Sequence, residues 1–245
     1  MEGIVAAMPV DAIWTRARVD LVLQTKQGHP DLFLWEHSAR VAHNALHIAT
    51  LATTFPSEVD ESAVIAASLY HDAAWAVRCR EGEIDRTEIL LTPTTDTGWE
   101  QGASLLERSL ADLLSPTCLE RAAAAVRSLS RSGGDMIEGQ IVAEANNLDE
   151  FGVLALWTVI RRGTLEGKGV QAVIDMWERK KEYRFWTARL HDSFRFEPIR
   201  ELAEERLKRF ERVMEELREQ HQGRDVERSA AIESKKQPAD NPAVS

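Results

Sequence analysis

His71 and Asp72 stand side by side at the end of the apolar run Ala66-Ala67-Ser68-Leu69-Tyr70. An imidazole and a carboxylate in a core segment are expensive to bury unless a partner charge or a metal compensates them. The rest of the chain must supply that compensation. His37 precedes the pair by 34 positions. On a helix at 100° per residue, His37, Arg40, Val41, Asn44 and Ile48 share one face. A third contribution comes from the helix after Gly133-Gly134. There Val142, Ala145, Asn146, Asp149, Val153 and Leu156 share one sector, so Asn146 and Asp149 are polar groups on a core stripe. They read either as an internal hydrogen-bond network or as a further metal-ligand position.

Other constellations are weaker. His43 and His47, spaced i,i+4, could bind a metal themselves, but they lie roughly 120° around the helix from His37. Spacing alone gives many false positives, so they read first as ordinary, partly exposed histidines. His191-Asp192 repeats the dipeptide beside charged residues with nothing else to recommend it. Glu81, Glu83 and Asp85, in the flexible region after the pair, could reach a leaving group, but they read first as solvated loop charges. Arg161-Arg162, Lys168, Arg179-Lys180-Lys181 and Arg184, interleaved with Trp157, Trp177, Tyr183 and Trp186, make a locally basic, aromatic area. Such an area could stack a single-stranded nucleic acid.

The elements that must position these residues are helical, because strand alternation is absent and Gly and Pro fall between periodic segments. A first helix is expected over about 11–27, with Ile13, Val19, Leu21, Val22 and Leu23 as core. A second covers about 34–53 and ends at Phe55-Pro56-Ser57. A third runs from about Glu61 into His71-Asp72. A looser stretch spans 78–97. Helices follow over 98–113, 116–130, 137–161 and 169–182. The last opens at Glu197-Pro198, with proline suited to a first turn, and continues to about Gln222. Residues 1–222 read as one domain, and 223–245, poor in apolar residues, as a disordered tail.

The chain has 245 residues, 44% of them apolar, enough for a sizeable core. A net charge of −10 argues against an electrostatically driven nucleic-acid binder. Two cysteines outside any C-x-x-C pair indicate a reducing compartment and no thiolate zinc site. No apolar run reaches membrane-spanning length, and Met1–Met8 carries an acid where a signal peptide carries bases. A cytoplasmic protein is expected.

Three blocks together resemble the HD-domain superfamily of metal-dependent phosphohydrolases, over about residues 10–220. The blocks are His37-Ser38-Ala39-Arg40-Val41, then His71-Asp72 after an apolar helix, then Glu138-Gly139-Gln140-Ile141-Val142-Ala143-Glu144-Ala145-Asn146-Asn147-Leu148-Asp149-Glu150-Phe151-Gly152. The third follows the family pattern E-G-x-I-V-x-x-A-D-x-L-D-x-x-G at most positions. The resemblance implies an all-α HD helical bundle of roughly eight to nine helices without significant sheet. It implies one divalent ion (Mn, Mg, Fe, Co, Ni or Zn) on His37, His71 and Asp72. Asn146 stands where the family has the distal Asp and offers a carbonyl oxygen without charge. Asp149 matches the second acidic position and could take over ligation. Leu129, and Trp99-Glu100, stand where relatives often carry histidines of a two-metal site.

The expected chemistry is attack of a metal-activated water on a small phosphate ester or nucleotide. Asp72 would orient that water or accept its proton. Arg40 would fork onto phosphate oxygens, or else form a salt bridge within the bundle. Two readings compete: a degenerate HD domain that binds a ligand or partner without turnover, and a helical interaction protein that dimerises through its last helix.

Overall fold

The computed structural model describes residues 9–51 and 58–229. Eleven α-helices occupy these residues: α1 (Pro9–Leu21), α2 (Phe33–Thr50), α3 (Glu61–Tyr70), α4 (Ala74–Arg80), α5 (Asp96–Leu110), α6 (Pro116–Ser128), α7 (Ile137–Asp149), α8 (Ala155–Leu165), α9 (Val170–Glu182), α10 (Phe185–Asp192) and α11 (Glu197–His221). The only sheet among them pairs β1 (Leu23–Gln24) with β2 (Pro30–Asp31) antiparallel. None of these helices is long and apolar enough to cross a membrane.

The all-α expectation holds, with more helices than the eight to nine foreseen. The extra ones come from breaks at local turns. The first helix stops at Leu21, and Thr25 N–H to His29 O at 2.7 Å then turns the chain through Gly28, whose φ is +80°. The long helix expected over 137–161 is two, because Gly152 at φ +98° lies in the left-handed region that favours glycine. A Cβ there would meet the Arg206 side chain at 3.2 Å. Val19, expected in the core, is 69% exposed, whereas Ile13, Ala17 and Leu21 are buried. The expected helix end at Phe55–Ser57 and residues 230–245 of the expected tail lie outside the described residues, while 224–229 are helical.

Contacts divide the chain into two compact units, Met1–Glu150 with Asp192–Glu201, and Phe151–His191 with Leu202–Ser245. In the second, Trp177, Trp186 and Phe151 pack with Phe210, so two aromatics of the expected basic area are core. Several of its cations are already paired: Arg162 and Lys168 with Glu166, and Lys181 with Glu211.

The first unit is built around α3. Every residue from Ala63 to Tyr70 is buried, which such an apolar run requires. Asp60 caps the helix by accepting the Ala63 N–H at 3.0 Å. Helices α2, α6 and α7 pack on α3. Helix α7 is pinned at its start: the buried Glu138 accepts the Asp60 N–H at 3.1 Å and pairs with Arg121. Its neighbour Gly139 has no room for a Cβ, which would lie 2.9 Å from the Gly133 carbonyl oxygen. The Glu-Gly of the third block is therefore structural, fixing the position of α7 along α3. Glu144, off the helical stripe, is buried all the same, because its carboxylate accepts the Arg195 N–H at 2.6 Å. Burial pushes that carboxyl up to about 7.

Helix α5 closes the end of α3. A Cβ on Gly102 would sit 2.8 Å from the Tyr70 carbonyl oxygen and 3.5 Å from that of His71. Gly102→Ala therefore forces backbone apart and is expected to lower stability by about 1–3 kcal/mol in urea unfolding. Gly163→Ala is the control. Its Cβ meets nothing closer than 3.9 Å within α8, so it is expected to gain up to about 1 kcal/mol.

Candidate metal centre

Three elements bring the site together. The buried stripe of α2 runs Phe33, Leu34, His37, Ser38, Val41, Ala42 and Ala45, so His37 is carried inward with the apolar residues. Helix α3 ends at Tyr70, and the turn before α4 presents His71 and Asp72 together. Helix α7 brings Asp149 in its last turn.

His37 Nε2 lies 3.2 Å from His71 Nε2 and 3.3 Å from Asp72 Oδ2, and His71 Nε2 lies 3.2 Å from Asp72 Oδ2. His71 is fully buried, and His37 and Asp72 nearly so. The outer atom of each ring settles the chemistry of the inner one. His71 Nδ1 is 2.7 Å from the Ser68 carbonyl oxygen, which can only accept, so Nδ1 carries the hydrogen. His37 Nδ1 is 2.9 Å from Asp149 Oδ2 and donates to it. Each inner nitrogen, when unprotonated, therefore aims its lone pair at a carboxylate oxygen. Three acceptors converging in the core require a proton or a cation among them.

A divalent cation fits. Ligands about 2.1 Å from an ion lie about 3.0 Å apart in octahedral and about 3.4 Å apart in tetrahedral arrangement. The observed separations fall between these values. Among the described residues this trio is the one cluster of His, Cys, Asp or Glu donors close enough to share an ion.

The surrounding groups hold the trio in place. Arg40 Nε donates to Asp149 Oδ1 at 2.9 Å and Nη2 to Oδ2 at 3.0 Å, a forked pair. Both Asp149 oxygens are thus engaged, by Arg40 and His37. Thr94 Oγ1 donates to Asp72 Oδ1 at 2.5 Å and accepts the Trp75 indole N–H at 3.0 Å. Burial opposes charge on Asp149, but hydrogen bonds from His37 and Arg40 hold its carboxyl down at about 2. Burial likewise opposes charge on Asp72, but the electrostatic interaction with His71 and the hydrogen bonds of both histidines outweigh it, leaving Asp72 well below the usual carboxylate range. Burial would push His37 down, yet hydrogen bonds to Asp149 and Asp72 raise it to about 9.

The structure thus brings His37, His71, Asp72, Arg40 and Asp149 together. Asn146, half-buried one turn before Asp149, takes no part in these contacts. His43 and His47 are exposed, and His43 stacks on Trp14 at 4.7 Å. Glu81, Glu83 and Asp85 are exposed loop residues, Asp85 serving as a local cap. Thr94 and the Ser68 carbonyl were not foreseen. Thr94 had a signal: in Thr92-Pro93-Thr94-Thr95 the last threonine caps α5, which fixes where its neighbour stands.

No protein-family model matches the chain, and no curated protein matches it. Solved structures do. YpgQ of Bacillus subtilis in complex with ADP aligns at 21% identity and TM-score 0.55, covering 86% of this chain and 94% of that one. YpgQ with selenomethionine aligns at 21% identity and TM-score 0.56, covering 86% and 93%. A predicted HD superfamily hydrolase from an uncultured Thermotogales bacterium aligns at 20% identity and TM-score 0.47, covering 81% and 84%. The fold is that of YpgQ.

The raised His37 has a consequence for chelated protein. A histidine that binds its proton more tightly folded than unfolded stabilises the fold fully below about 6.5, and this is lost as pH rises through about 9. In urea unfolding with EDTA, wild type is expected to lose about 3 kcal/mol more than His37→Gln between pH 6 and pH 9.5.

Proposed function

We propose that the chain is a metal-dependent phosphohydrolase acting on a small phosphate ester or nucleotide. The observation that carries this reading is the convergence of His37 Nε2, His71 Nε2 and Asp72 Oδ2 within 3.3 Å, with both rings committed on their outer side. Preset imidazole donors of this kind suit a first-row divalent ion, and orientation by outer partners is how such sites are tuned.

When bound, a divalent ion would supply Lewis acidity and a water acidic enough to attack phosphorus near neutral pH. The chain's own groups do the rest. His37 and His71 offer lone pairs without having to lose a proton at Nδ1. Asp72, ionised through the ordinary pH range, can orient the attacking water. Arg40 uses Nε and Nη2 on Asp149, and its side chain is 29% exposed, so Nη1 can meet a phosphate oxygen. Asp149 stands behind His37 rather than beside it. The ADP bound by YpgQ supports a nucleotide as the substrate class.

The second reading, a binding module without turnover, is favoured by the charge at the site: Asn146 brings none, and both Asp149 oxygens already accept hydrogen bonds. Titration with Mn(II), followed by a phosphate-release panel over nucleotides and phosphomonoesters, separates the two. Wild type is expected to bind one equivalent and release phosphate, and His71→Ala to lose both. Binding without release selects the module. No binding by wild type removes the hydrolase.

Asn146→Asp is expected to tighten Mn(II) binding about tenfold or more, since an added carboxylate raises the charge facing the ion. An unchanged constant would exclude position 146 from ligation.

A further inference from the structure

Thr94 reaches the site from the loop before α5, away from the helices that carry the three donors. Its hydrogen bonds have only one consistent direction. An indole N–H donates and never accepts, so the Trp75 N–H takes a lone pair of Thr94 Oγ1 at 3.0 Å. The single hydroxyl proton then goes to Asp72 Oδ1 at 2.5 Å. Trp75 and Asp72 are each 6% exposed, so water competes poorly for either group.

Two further features hold Thr94 in place. Gly98 lacks the Cβ that would lie 2.8 Å from the Thr94 methyl, so the first turn of α5 leaves room for it. Thr95 caps α5 by accepting the Gly98 N–H at 3.3 Å, which ties the next residue to the helix. On the other side Ile89 is buried, and Leu90 turns the chain at φ +59°. Such a conformation is strained for a non-glycine residue. The loop is therefore built to deliver one hydroxyl to one carboxylate oxygen.

We propose that Thr94 is a positioning residue that confines Asp72 to ligation through Oδ2 alone, with Trp75 fixing the Thr94 hydroxyl. The assignment rests on the metal-site reading above. With Oδ1 occupied, Asp72 cannot turn to offer both oxygens, and Oδ2 stays at 3.2–3.3 Å from the two imidazole nitrogens. The carboxylate keeps one defined ligand atom, and an ion's remaining positions stay open to water and substrate.

Co(II) reports both affinity and ligand geometry through its visible absorption, without any need for turnover. Thr94→Val removes the hydroxyl at nearly constant shape. It is expected to weaken Co(II) binding about 10–100-fold and to alter the absorption bands. Thr94→Ser keeps the hydroxyl and is expected to restore wild-type affinity and bands. Trp75→Phe, which frees the hydroxyl to rotate, is expected to fall between them. Circular dichroism on the chelated proteins confirms that each variant is folded.

If wild type binds Co(II), His71→Ala does not, and Thr94→Val matches wild type in both readouts, the Thr94 assignment falls while the metal site stands. The assignment also fails if Thr94→Ser behaves like Thr94→Val. If wild type and His71→Ala take up equally little Co(II), the metal reading fails and takes this assignment with it.

Discussion

Two imidazole nitrogens and a carboxylate oxygen within 3.3 Å of one another, in a core, form an arrangement that is unstable by itself. What makes it persist is that the opposite atom of each group is already committed. The Ser68 carbonyl takes the His71 Nδ1–H, Asp149 takes the His37 Nδ1–H, and Thr94 donates to the other oxygen of Asp72. None of the three can turn away from the others without breaking a buried hydrogen bond, a loss of about 1–3 kcal/mol each. The fold supplies these commitments from separate stretches of chain: the last turn of α3, the last turn of α7 and the loop before α5.

Helix positions follow from that requirement. Asp149 can reach His37 only if α7 stands at one height along α3. Glu138 on the Asp60 cap and Gly139 against Gly133 set that height. At the other end, Gly102 lets α5 approach the His71 turn closely enough for the loop before α5 to cover Asp72. Glycines and a buried acid thus act at a distance on the placement of the three converging atoms, and none of them has to touch those atoms.

Much of this was legible from the chain. His71-Asp72 stood out because an apolar run has no other use for such a pair, and His37 because it interrupts a helical stripe of core residues. Asp149 was found as one of two polar residues on an otherwise apolar sector. Its choice between ligand and supporting group was not legible, because helical periodicity gives a direction and not a partner. In space both Asp149 oxygens accept hydrogen bonds, from Arg40 and His37, which a helical wheel cannot foretell. Thr94 was missed for a similar reason: the Thr95 cap marks where α5 begins, but not which neighbouring hydroxyl turns inward. A helix end was missed where one residue adopts positive φ, at Gly152, since periodicity continues past such a point while the backbone does not.

The Arg40–Asp149 fork also fixes the charge of the centre. Arg40 cancels Asp149, so Asp72 is the one uncompensated carboxylate facing the ion position, and Asn146 adds none. A divalent ion held there would keep a surplus of one positive charge inside a poorly solvated site. Such a centre has an unfilled demand for an anion. A ligand bearing phosphate meets that demand, and a neutral ester does not. Selectivity for charge would then come less from contacts made to the ligand than from the carboxylate this chain lacks.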